Sequence, residues 1–172
     1  MRRDMRHSVF ALALTVCTTL LCPAGSSAFD TPHSRATLRG LGPIYVVVEE
    51  PSNDLKRGGL RIETMQADAE LRLRAVGIRV VTEKEAFALP GAPFLYVAVT
   101  GNGIRPAGGY AACVTVALSQ NARLERDASV SRSVPTWSVE GFVTGSSTED
   151  IRGLIRDAVD RFANAYLSVN PK

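Results

Sequence analysis

The apolar residues of this chain fall into three kinds of run, and each predicts a different element. Ser8 to Leu21 is largely apolar and carries no charge. Short β-branched runs follow further on. Ile44-Tyr45-Val46-Val47-Val48 is apolar on both parities, as a strand covered on both sides or lying centrally in a sheet would be. Ile78–Val81, Phe94–Thr100, Tyr110–Leu118 (extending as far as Leu124) and Thr136–Val143 read as further strands. Two stretches show helical spacing instead. Ile62, Met65, Ala69, Leu73 and Val76 recur every three or four residues within Leu60–Val76. Ile151, Leu154, Ile155, Ala158, Val159, Phe162, Tyr166 and Leu167 form a second stripe behind Ser147.

Local signals set the ends of these elements. Gly77 stands where a left-handed C-terminal cap is wanted. Thr82 and Glu85 have the spacing of a capping box around a single turn, and Ser147 with Asp150 repeats it before the last helix. Asn170-Pro171 stops that helix. Asp68–Arg72, Glu70–Arg74, Arg156–Asp160 and Asp157–Arg161 are expected as pairs one helical turn apart. Glu49 to Asp54, the glycine-rich Gly101–Gly109 stretch and the polar Arg123–Pro135 stretch read as loops. Phe29–Leu41 mixes Pro, Gly, Ser and charge without a period, so residues 29–42 are expected to be a flexible lead-in.

The order predicted is β-α-β-β-β-α. A strand–helix–strand opening demands a right-handed crossover. A meander then follows, and the closing helix covers one face. The expected fold is α+β: a mixed, mostly antiparallel sheet of four to five strands with two helices on one face, in a single domain spanning residues 43–170.

Strand parity then separates two unequal faces. Leu95, Val97 and Val99, with Ala112, Val114, Val116 and Leu118, and with Trp137, Val139 and Val143, suit a helix-covered core. The opposite parity holds Phe94, Tyr96, Ala98, Cys113, Thr115, Ala117, Thr136, Ser138, Glu140 and Phe142. Ala, Cys and Thr stand there where Lys and Glu usually keep an exposed strand soluble. Tyr96, Cys113, Thr115 and Ser138 are therefore the candidate binding residues of an open sheet face, and a solvated outer face is the competing reading.

Composition matters once the N-terminus is set apart. Arg2, Arg3 and Arg6 precede the apolar run, and Pro23, Gly25 and Ser26-Ser27-Ala28 follow it. That is the layout of a secretory signal peptide over residues 1–28, cut between Ala28 and Phe29. This stretch of 14 residues falls short of the roughly 20 that a membrane span needs. The expected location is the periplasm or outside the cell, with no integral span after cleavage. The whole chain has 172 residues, 20 Lys+Arg and 17 Asp+Glu. Removing the leader's three arginines and one aspartate leaves 17 basic and 16 acidic residues, interspersed. No basic patch remains, so nucleic-acid binding and polybasic membrane attraction are not expected. Cys17 and Cys22 leave with the leader. Cys113 alone stays, either as a buried small hydrophobe or as an intermolecular link, the buried reading being favoured.

Catalytic chemistry finds little to work with. Past the leader the single histidine is His33, in the lead-in, so histidine-based triads and clustered zinc or copper ligands are absent. Gly101-Asn102-Gly103 begins like a dinucleotide fingerprint, but Pro106 and a strand follow where a helix must start. Glu49, Glu50 and Asp54 could ligate calcium, although without EF-hand spacing and with a solvated loop as the better reading. Glu140 lies mid-strand and is the carboxylate a hydrolase would use. Neither a catalytic residue nor a metal nor a cofactor is expected.

The leader and the element order from Ile44 to Leu167 resemble small periplasmic domains of the TolB amino-terminal and CsgG-like kind. The pieces Glu70–Ile78, Thr136-Trp137-Ser138 and Ala165–Pro171 also resemble uncharacterised secreted bacterial proteins. The resemblance implies a non-catalytic module of the bacterial envelope that binds another protein. A small-molecule or lipid binder using the open sheet face is the alternative, and a carboxylate hydrolase comes third.

Overall fold

In the computed structural model the described residues are 29–171, and the expected leader lies outside them. Four strands make one sheet in the order β1-β2-β3-β4. β1 (Tyr45–Val48) runs parallel to β2 (Phe94–Gly103). β3 (Tyr110–Leu124) and β4 (Asp127–Gly145) continue antiparallel. Five helices complete the described residues: α1 (Pro32–Ala36), α2 (Asn53–Arg57), α3 (Ile62–Ala75), α4 (Glu83–Phe87) and α5 (Thr148–Val169). The protein is thus α+β with a mixed, mostly antiparallel sheet.

The core lies between one face of the sheet and helices α3 and α5. Val46, Leu95, Val97, Val114, Val116, Leu118, Trp137 and Val139 line that face, all essentially inaccessible to water. They are the large members of the strand parity, so the alternation alone selects the buried side. Met65 and Leu73 of α3 and Ile151, Ile155, Val159 and Phe162 of α5 meet them. Trp137 and Phe162 pack edge to face with ring centroids 5.2 Å apart, a pairing worth about 1 kcal/mol beyond area burial. Gly141 lets α5 approach β4, because a Cβ there would stand 2.8 Å from Leu154 Cδ1.

Both helices are bounded as their end signals require. At α3, Gly77 adopts φ +86°. Its N–H donates to Arg74 O at 3.0 Å, while Ile78 N–H donates to Leu73 O at 2.9 Å. These two bonds are the Schellman pattern, with Ile78 and Leu73 both buried. Before α5, the Ser147 N–H donates to the Asp150 carboxylate at 3.1 Å. Thr82 and Glu85 form their capping box around α4.

The ion pairs run between the helices as well as along them. Glu70–Arg74 forms at 2.7 Å. Asp68 instead receives Arg152 of α5, at 2.8 and 3.0 Å, and Arg72 pairs with Asp160 of α5. Arg156 turns to Glu149 at 2.8 Å. Asp68 and Arg72 thus take partners on α5 in place of each other.

Three regions depart from the sequence expectation. Ile78–Val81 is reduced to a single parallel bridge between Ile44 and Val80, which leaves four strands. The polar stretch 123–135 is not a loose loop. β3 and β4 continue past the rest of the sheet as a two-stranded ribbon and turn at Glu125-Arg126. β2 ends its pairing at Phe94–Ser119, so the ribbon has no third strand beside it. The lead-in is ordered and part of the core. Thr31 and Ser34 cap α1 reciprocally, and Leu38 is wholly buried. Asn170 fixes this segment from the far end of the chain. Its side chain donates to Leu38 O at 2.8 Å and accepts from Gly40 N–H at 2.7 Å. These anchors are single residues far apart in sequence, and no periodicity announces them.

Candidate functional site

The face of the sheet turned away from α3 and α5 carries a groove of ≈ 690 Å³. Strand register builds it in rows. Tyr45, Phe94, Ser119 and Pro135 are successive partners across the four strands. Val47, Tyr96, Ala117 and Ser138 form the next row, and Ala98, Thr115 and Glu140 the one after. β3 therefore gives a floor of small side chains. Tyr45, Phe94 and Tyr96 form an aromatic wall on one side, and β4 forms the other.

Two further aromatics close the ends. Phe87 comes from α4, which follows directly on the Ile44–Val80 bridge beside β1. Phe29 comes from the lead-in, which is held at β4 by Asp30. The Trp137 indole N–H donates to Asp30 Oδ1 at 2.9 Å, and Arg35 grips the same carboxylate at 2.6 and 2.9 Å. These contacts hold the Asp30 carboxyl below its ordinary value, the Arg35 hydrogen bond most strongly and against partial burial, with Trp137 helping. Phe87 is 72% exposed and Phe29 55%, so both rings stand at the rim with large apolar area in water. Phe142, 70% exposed, extends the apolar surface beyond the groove along β4.

Polar groups around the groove are few. The Tyr96 hydroxyl donates to the Glu49 carboxylate. That bond, assisted by burial, pushes the phenol up to about 12, so Tyr96 stays neutral and its ring is fixed. Glu83 and Glu140 line the groove and make no ion pair among the described residues. Thr115 and Ser138 supply hydroxyls at the floor and far wall.

Of the four residues singled out from the sequence, the structure brings Tyr96, Thr115 and Ser138 together in this groove. Cys113 sits one row further along, between Thr100 and Phe142, and lies outside the groove lining. It is half-exposed rather than buried, because its strand parity faces away from the helices. Strand parity carries no sign of Phe29, Phe87 or Glu83, which arrive from outside the sheet. Tyr45 and Val47 were within reach, since β1 alternates like the other strands, but the uniformly apolar run masked its two faces.

The acidic cluster weighed above as a possible calcium ligand set, with a solvated loop as the better reading, is engaged internally. Glu50 pairs with Lys56 at 2.6 Å, Asp54 with Arg57, and Glu49 takes the Tyr96 hydroxyl. No group of three or more His, Cys, Asp or Glu able to hold a metal occurs among the described residues. No described helix is long and apolar enough to cross a membrane.

No family model matches the chain, and no curated protein matches it. Solved structures do. The PelC dodecamer from Paraburkholderia phytofirmans aligns over 70% of this chain and 88% of its own, with 20% identity and a TM-score of 0.43. A single-residue variant of that dodecamer aligns over 73% of this chain and 89% of its own, with 19% identity and a TM-score of 0.44. Scores this low describe a loose likeness of architecture.

Proposed function

We propose that the protein is an exported, non-catalytic binding or assembly module of the bacterial envelope that acts through protein–protein contact at its open sheet face. The observation that carries this reading is the groove itself. Five aromatic side chains surround a floor of Thr115, Ala117 and Ser119, on the face of the sheet turned away from α3 and α5. Exposed apolar area of this kind costs free energy in water and is recovered when a partner covers it. Export rests on the layout of residues 1–28, and the resemblance in element order to small periplasmic modules supports the same location.

The test is capture of partners from an envelope extract with wild-type protein and with Thr115→Lys. The variant puts a charge on the groove floor without touching the core. Loss of specific partners with unchanged folding supports the reading, and recovery of the same proteins by both overturns it.

A second reading has its own observation. The groove volume falls within the range of about 300–1,000 Å³ typical of small-molecule sites, so a small apolar or lipid-like ligand fits it. Native mass spectrometry of protein purified without detergent distinguishes the two, because a bound ligand adds a discrete mass.

A further inference from the structure

We infer that the groove selects a positively charged anchor: the partner segment it seats presents an arginine or lysine flanked by apolar residues. This rests on the open face being the docking surface and concerns what that surface recognises. Three features of the groove carry it. First, its ionisable side chains are acidic or phenolic, since Glu83 and Glu140 line it together with Tyr45 and Tyr96, and no Lys, Arg or His does. In a chain whose basic and acidic residues are nearly balanced, that is a local bias. Second, neither carboxylate has an ion-pair partner among the described residues, and both are exposed at the rim of the groove. The groove holds charge that the fold leaves uncompensated. Third, the wall between them is aromatic, and Tyr96 is held in place by its hydroxyl bond to a further carboxylate, Glu49. Ring faces attract cations, and a ring fixed beforehand loses less freedom when one arrives. An arginine suits the site best, because its planar guanidinium stacks on a ring while donating to a carboxylate.

An acidic or strongly anionic segment is disfavoured by the same geometry. It would bring like charge against Glu83 and Glu140.

The experiment uses three blocked tripeptides, acetyl-Leu-Xaa-Phe-amide, with Xaa arginine, citrulline or glutamate. Citrulline keeps the shape of arginine without its charge. Each is titrated into isotopically labelled protein spanning residues 29–172, and amide shifts are followed for Thr115, Ala117, Ser138 and Glu140. The arginine peptide is expected to shift these residues and to bind about tenfold tighter than the citrulline peptide, with the glutamate peptide weakest. The double variant Glu83→Gln/Glu140→Gln should abolish that preference while leaving the circular dichroism spectrum unchanged. Equal binding of all three peptides in the groove overturns the charge selection and leaves the docking surface standing. Shifts confined to other parts of the protein overturn both. Decyltrimethylammonium is titrated in parallel below its micelle concentration. Tighter groove binding by it than by the arginine peptide overturns the assignment to a protein segment in favour of a lipid-like cation.

Discussion

The two faces of the sheet are built from the same strands, yet they differ in what a side chain there contributes. Val114 and Val116 are wholly buried against the helices, while Thr115 between them lies on the groove floor. Trp137 is 0% exposed and packs on Phe162. Phe142, of the opposite parity on the same strand, stands in water. Neighbouring positions thus separate stability from recognition: one parity holds the fold together and the other is free to carry a binding surface.

The sharpest break in that contrast is at Trp137. Trp137→Ala removes the edge-to-face contact and the indole bond to Asp30, and should cost about 3–5 kcal/mol in urea unfolding. Leu118→Ala, also wholly buried, should cost about 2–4 kcal/mol by the same measurement. Asp30 supplies a pH-dependent term. Its folded carboxyl titrates below the ordinary 3.8. The stability it adds is therefore complete above that value and is lost as pH falls through the lower, folded one. Asp30→Asn should flatten the acid limb of a stability-versus-pH curve below about pH 4. On the open face, Phe142→Ser should change the unfolding free energy by less than about 0.5 kcal/mol, while lowering the binding of a hydrophobic dye to the native protein. A large loss of stability there would erase the distinction between the faces.

Most of the architecture was legible because it rests on repeated signals. The alternation in Phe94–Thr100, Tyr110–Leu118 and Thr136–Val143 separated core from open face, and the helical stripes with their caps placed α3 and α5. The alternation breaks where the structure does. Leu118 opposes Trp137 but Ser119 opposes Pro135, so Thr136 is the extra residue of a bulge, and beyond it the strands continue as the ribbon. The ribbon's pairing joins mostly exposed residues, in which Ala128, Val130 and Val134 are scattered among polar positions, too sparse a hydrophobic pattern to read as a strand. The groove was half legible for the same reason. Its floor follows parity, whereas Phe29 and Phe87 are placed by contacts distant in sequence, such as Asp30 with Trp137.

The clasp at Asn170 bears on the order of assembly. Its bonds to Leu38 and Gly40 join residues 132 and 130 positions apart. Contacts that span nearly the whole described chain close the largest loops, and their entropic cost is met only once intervening structure has shortened the path. The segment carrying Phe29 and Leu38 is thus held by partners far along the chain, Trp137 at Asp30 and Asn170 at Leu38 and Gly40. The groove gains Phe29 only when these long-range contacts have closed, which makes a finished binding surface a report that distant parts of the chain have come together.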